Sequence, residues 1–345
     1  VFTDLVVTAV RTQSGDLKLI SWQLLDNGQI ARLADISAGA VTLISLSRMG
    51  SSAIVATAVQ GGEGNLKIIT WNVAADGTIT RLSDHTAGAI SAVSAISTTG
   101  NRLYTAVRDS NGELKIISWD VAANGGITRL ADISAGAVSL ISMTSVGSSS
   151  MLATAVRDSD GNLKVITWNA AANGAITRLF DSTAGAITEV SLASLGETLI
   201  ATSVRDSDGN LKIIVWEIAS SGAITRRGDA SAGAATNISS FLLNGPTRLA
   251  TAVRTASGDL KIIAWQISPT GEQVTRMGEV SAGAVSLVAG SHCGGNNFFE
   301  TSVRDSNGDL KVIRWETSND ISVLTRHGDA LAGGVSLISV ACVKF

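Results

Sequence analysis

The chain has 345 residues, of which 45% are hydrophobic and 16% charged, with a formal net charge of −3. A balance that is not basic excludes the electrostatic footprint of a nucleic-acid binder, and no apolar run reaches the roughly 20 residues that cross a bilayer as a helix. Two cysteines exclude a disulfide-dense scaffold, while 35 glycines against 2 prolines suit many tight turns between short strands.

The chain begins at Val1, without an initiating Met or a signal-like apolar segment, which reads as a processed mature form or an incomplete record. Residues 5–11 predict a strand ending in Arg11; a Gly turn follows, then an apolar run carrying Lys18 and Trp22. The same unit recurs to the end of the chain. A complete copy is LATAVRDSDGNLKVITWNAAANGAITRLFD, residues 152–181. Trp22, Trp71, Trp119, Trp168, Trp216, Trp265 and Trp315 mark seven copies spaced 48 to 50 residues apart, each with a Lys four residues before it. Such a period fits blades of four strands or helical repeats. Short runs rich in Ile, Val and Thr, broken by Gly about every ten residues, favour strands.

Four strands fit each period; in one repeat they fall at 138–143, 152–157, 163–168 and 176–179. Ser159-Asp160-Gly161-Asn162 joins the second to the third, and Asn173-Gly174 lies in the next turn. Asp-Gly and Asn-Gly between apolar runs signal hairpins, because a tight primed turn needs positive φ at its centre. The chain would start in a second strand and finish in a first strand, residues 335–340, that has no successor. The simplest closure pairs this C-terminal strand with the N-terminal three, which protects the sheet edges.

The segment LATAVRDSDGNLKVITW, with a Thr on its first strand and a Trp closing its second, resembles the paired strands of WD-repeat β-propellers. The resemblance implies an all-β, seven-bladed β-propeller of four antiparallel strands per blade, forming a single domain over residues 1–345. It does not extend to that family's loop His, which is absent, or to its Trp-Asp pair, found only at Trp119-Asp120. The family's typical partners are therefore not carried over.

Little points to catalysis. His85, His292 and His327 occupy different repeat positions, and most acids recur in every copy as structural residues do. The chain is therefore expected not to be an enzyme, and to need no cofactor and no metal. Asp158-Ser159-Asp160-Gly161-Asn162 faintly suggests a Ca²⁺ loop, but a hairpin turn explains it and the later acidic ligand is missing. The Trp series is expected to fill the space between neighbouring blades, and the recurring Lys, Arg and acidic residues to form an ion-pair belt between them.

One set varies between copies. Arg108-Asp109, Arg157-Asp158, Arg205-Asp206 and Arg304-Asp305 end the second strands, whereas Thr12, Gly61 and Thr255 take the acid's place elsewhere. This rim is the candidate ligand-binding surface, with turn formation by Asp as its alternative explanation. Cys293 and Cys342 follow consecutive inner strands; they are either a disulfide stapling the closing blade or two buried thiols. Several lectins are propellers, and the chain is similar to them in architecture. The leading expectation is thus a non-catalytic, lectin-like binder of carbohydrate through repeated loop-face sites, gaining by avidity. The alternatives are a scaffold for a protein partner and a pore-mouth enzyme such as a polysaccharide lyase, for which His292, Asn296 and Asn297 form the one irregular loop. No nucleic acid and no membrane span are expected, and localisation leans to secreted.

Overall fold

The computed structural model describes residues 5–25, 27–50, 52–98, 100–147, 150–293 and 297–344. Among these, 21 strands and no helix are found. The order is β1 (Leu5–Thr12), β2 (Asp16–Leu24), β3 (Ile30–Arg48), β4 (Ile54–Gly61), β5 (Asn65–Val73), β6 (Ile79–Ser97), β7 (Arg102–Asp109), β8 (Glu113–Val121), β9 (Ile127–Ser145), β10 (Met151–Asp158) and β11 (Asn162–Ala170). It continues with β12 (Ile176–Ser194), β13 (Leu199–Asp206), β14 (Asn210–Ile218), β15 (Ile224–Leu242), β16 (Arg248–Thr255), β17 (Asp259–Ile267), β18 (Val274–Ser291), β19 (Phe298–Asp305), β20 (Asp309–Thr317) and β21 (Leu324–Val343).

Every third strand is long, 18 to 20 residues, and serves two neighbours. In β12, residues up to Ala186 pair with β11, and from Ile187 onward they pair with β13. The expected separate fourth and first strands are therefore one continuous strand, and each repeat contributes three elements rather than four. The Ala-Gly segments carry the long strand across from one pairing to the next. All pairings are antiparallel, and β21 pairs with both β20 and β1, so the sheet closes on itself as a propeller-like ring.

The inner halves of the long strands touch one another in a cycle that runs from β3 through β6, β9, β12, β15 and β18 to β21 and back to β3. A belt of serines binds them. Ser45, Ser94, Ser142, Ser191, Ser239 and Ser339 each accept, through Oγ, a backbone N–H of the next long strand at 2.9 to 3.1 Å. The link absent from this series lies between β18 and β21, where Ala289 stands at the serine position. That same pair of strands is joined by the Cys293–Cys342 disulfide, with Cα atoms 5.2 Å apart.

The core repeats with the same spacing as the sequence. All seven Trp are at most 1% exposed, and each indole N–H donates to the Thr fourteen residues earlier, as Trp168 does to Thr154 at 3.0 Å. The ring's one polar atom is satisfied by a hydroxyl on the adjacent strand, two residues from the Trp's own cross-strand partner, so no buried donor is left to oppose packing. On β2, β5, β8 and β11, a second hydroxyl links to the next repeat. Ser21, Thr70, Ser118 and Thr167 donate to the carbonyls of Gly77, Gly125, Gly174 and Gly222 at 2.6 to 2.7 Å.

Candidate active site at one mouth of the ring

The rim residues singled out from the sequence lie together on the face formed by the β-turns after β1, β4, β7, β10, β13, β16 and β19. The carboxylates of its aspartates are engaged. Asp109 accepts the N–H groups of Asn111 and Glu113, Asp158 those of Asp160 and Asn162, Asp206 those of Asp208 and Asn210, and Asp305 those of Asn307 and Asp309, all at 2.9 to 3.1 Å. Where Asp is replaced by Thr12 or Thr255, the hydroxyl accepts the equivalent N–H of Asp16 or Asp259. Asp and Thr are thus two ways of closing one turn, and at Gly61 the turn closes by its backbone bond from Gly64.

The arginines bridge neighbouring repeats through backbone rather than through acids. Arg108, Arg157 and Arg304 donate Nε–H to the carbonyls of Val138, Ile187 and Val335, at the point where each long strand crosses to its next partner. Each also donates to a hydroxyl of its own repeat, Ser91, Ser139 or Ser286. The recurring acids pair within a repeat: Arg178 with Asp181 at 2.7 Å on one strand, and Lys212 with Asp229 at 3.1 Å across two. Being 30% or more exposed, such pairs contribute little. The expected belt of ion pairs between repeats is replaced by these arginine-to-carbonyl clamps.

Arg205 departs from the pattern. It donates to Thr188 Oγ1 at 3.0 Å, but its buried Nε has no carbonyl partner. Directly across the ladder from it sits Glu189. At this repeat position the other long strands carry Leu43, Ala92, Leu140, Asn237, Leu287 and Leu337. Glu189 reaches toward the next long strand, where its carboxylate accepts the N–H of Ile238 at 3.2 Å and also that of Asn237. Burial pushes its pKa above the usual glutamate value, against the lowering effect of those two N–H groups and of the Arg205 charge.

Asn237 is the second departure, and it is strained. Its φ is 52°, and β15 breaks register against β16 between Thr236 and Ser239. A left-handed non-glycine residue inside a strand costs of order 1 kcal/mol and clusters at functional sites. Glu189, Arg205 and Asn237 therefore bring together a desolvated carboxylate, a guanidinium released from its usual clamp and an aimed pair of backbone N–H groups. The two N–H groups are spent on the Glu189 carboxylate, so the group left facing the ring beside it is the Arg205 cation.

Neither Glu189 nor Asn237 was among the candidates from the sequence. The signal was present as the one acid and the one amide in a column otherwise filled by Leu and Ala. The three histidines stay apart: His85 lies edge-on to Trp119 and His327 bonds Glu316 at 2.6 Å. Of the irregular loop, Asn297 donates to Asn319 at 2.8 Å, His292 is described, and Asn296 lies outside the described residues. Among the described residues, no group of three potential metal-binding side chains is found.

No protein-family model matches the chain, and no curated protein matches it in sequence. Solved structures do match in shape. A candidate 6-phosphogluconolactonase from Bacteroides fragilis superposes with a TM-score of 0.72 over 99% of this chain and 98% of its own, at 13% identity. The periplasmic gluconolactonase of Pseudomonas aeruginosa superposes with a TM-score of 0.66 over 97% and 99%, also at 13% identity. The lectin SapL1, solved with α-methyl fucoside, is less similar, with a TM-score of 0.57 over 86% of this chain and 97% of its own, at 11% identity. These likenesses establish the propeller-like fold. They also correct the expectations of a lectin-like, non-catalytic binder and of a chain that is not an enzyme: lactonase names prevail among the similar structures, and the lectin is the more distant.

Proposed function

We propose that the chain is a single seven-bladed unit over residues 1–345, each blade built from one ladder of four strand segments, and that it is a hydrolase opening cyclic esters at the mouth that holds Glu189. Seven Trp-centred repeats and seven double-duty long strands support the blade count. The observation that carries the enzymatic reading is the position of Glu189. A carboxylate whose proton affinity is raised by burial faces Arg205 and the N–H groups of Asn237 and Ile238, at the place where the repeat is broken. The fold is shared with proteins named as lactonases.

In the proposed step, Glu189 takes a proton from water as the water oxygen bonds to the lactone carbonyl carbon. Negative charge develops on the carbonyl oxygen beside the Arg205 guanidinium, which stabilises it more than the neutral ground state. The ring C–O bond then breaks, and the leaving alkoxide takes the proton back from Glu189. The product is an open-chain hydroxy acid, and the carboxylate is regenerated.

The test is acid release from δ-gluconolactone and simple alkyl lactones, measured by pH-stat above the spontaneous rate. Glu189→Gln is expected to lower kcat/KM by about 10² to 10⁴-fold, the usual range for a general base. The acid limb of the wild-type pH profile is expected above the ordinary glutamate range and to vanish in the variant. Stability should move the other way. A carboxyl whose folded pKa is raised contributes stability below its unfolded pKa and loses it as pH rises through the folded one. Glu189→Gln should therefore melt no lower than wild type at neutral pH. Wild-type levels of activity in the variant, or no lactone opened by the wild type, would remove the reading.

A further inference from the structure

The mouth that holds Glu189 is not polar all round. Each long strand places one residue at the same repeat position, just after it crosses from one pairing to the next. In order around the ring these are Leu287, Leu337, Leu43, Ala92 and Leu140, then Glu189 and Asn237. Five consecutive positions are apolar and two are polar. The five apolar residues are all half-buried. Four of them face, across their ladders, the arginines that clamp the next repeat: Ala92 opposite Arg108, Leu140 opposite Arg157, Leu287 opposite Arg304 and Leu337 opposite Arg11. Leu43 lies opposite Gln60, which makes the same bond to the Ile90 carbonyl.

Cross-strand partners share a face of the sheet, and two residues after Leu43, Ala92, Leu140 and Leu337 a serine bonds the next long strand. These apolar side chains therefore stand on the side of the inner strands that turns toward their neighbours in the cycle. Being half-buried, they keep part of their apolar surface uncovered at this end of the inner strands.

We infer that the substrate is a lactone bearing an apolar substituent, an alkyl or acyl chain, rather than a polyhydroxylated sugar lactone. This rests on the hydrolase reading above and specifies its substrate class. A carbonyl held at Glu189, Arg205 and Asn237 directs the rest of the molecule over the leucine crescent. Sugar hydroxyls placed there would lose water without gaining partners, since Leu offers no donor or acceptor. Each methylene placed there instead gains about fourfold in binding when fully buried. The polar sector thus orients the reacting group and the crescent selects what is attached to it, the usual division of labour in a small-molecule site.

The experiment compares kcat/KM for δ-nonalactone and δ-gluconolactone, in the wild type and in Leu140→Asn and Leu287→Asn, the crescent residues that flank the polar sector. The ratio of the two substrates is read within each protein, so a variant that folds in lower yield still reports. The wild type is expected to prefer δ-nonalactone by at least tenfold, and each variant to lose most of that preference. A wild type that prefers δ-gluconolactone, or a ratio unmoved in both variants, overturns the inference and leaves the hydrolase reading standing. Failure to open either lactone overturns both.

Discussion

The junctions made by β2, β5, β8 and β11 and those made by β14, β17 and β20 solve the same packing problem differently. In the first set, a hydroxyl on the third strand of a repeat reaches the glycine carbonyl of the next turn, as Thr167 does to Gly222 at 2.7 Å. On β14, β17 and β20 the equivalent positions hold Val215, Ala264 and Arg314. Arg314, only 4% exposed, donates to the Leu25 carbonyl at 2.9 Å and so spans the closing junction. Its cross-strand partner is the fully buried Glu300. The turn facing Ala264 carries Ile321, with φ at 55°, where the others carry glycine, and its side chain is buried against the cluster that contains Ala264. The belt serine is missing at Ala289, and the disulfide spans the same pair of long strands. Regular hydrogen bonds hold the first set, and individual devices hold the second. A closed ring tolerates this because each junction needs only some link, not the same one.

The largest break in this comparison should come from the disulfide. Replacing Cys293 and Cys342 together by Ala is expected to cost about 4 kcal/mol, from the loop-closure entropy of the 49-residue separation. Urea unfolding of oxidised wild type against the variant measures it. A loss below about 1 kcal/mol would show that the seam does not depend on the bridge.

Ile321→Gly comes next. The substitution relieves the left-handed backbone, about 1–2 kcal/mol, but empties a well-packed site, a loss of about 2–5 kcal/mol for a large-to-small change. A net destabilisation of about 2 kcal/mol is expected in thermal melts, and a stabilised variant would mean that strain, not packing, dominates this turn.

Thr167→Val tests a regular junction. It keeps the shape and removes the hydroxyl donated to Gly222, so about 1 kcal/mol should be lost. The smallest effect is a gain: in the cysteine-free variant, Ala289→Ser supplies the missing member of the belt. About 0.5–1 kcal/mol should return, read as a shift in the urea midpoint at unchanged slope. No shift would show that the N–H groups of β21 do not need this acceptor.

Much of the fold is legible in the residues. The Trp spacing, the Gly turns and the alternation of Ile, Val and Thr locate β10 and β11 to within two residues at each end. The fusion of fourth and first strands was not legible, because Ala-Gly reads as a break in a local window. Here the extended backbone continues, held by pairing on both sides of the crossing. The site was less legible than the fold. Variation at Asp109 and its equivalents looked like a ligand surface, yet Asp and Thr do the same work in that turn. Glu189 is hard to see in a sequence where most acids recur, and it stands out only within its own column of Leu and Ala.

The period of the chain, its strand-forming runs, its turn chemistry and the burial of seven Trp were set by residues close to one another in sequence, since hairpin pairing and the Trp–Thr bond are local. The closure of the C-terminal strand on the N-terminal three was legible too, from where the repeat starts and stops; what only the tertiary structure decided is which side chains share a mouth. Glu189 meets the N–H groups of residues 237 and 238 only because two long strands lie side by side in the ring. Cys293 meets Cys342 for the same reason. Contacts between repeats arise from sheets packing on one another, and no spacing within a single repeat encodes the outcome.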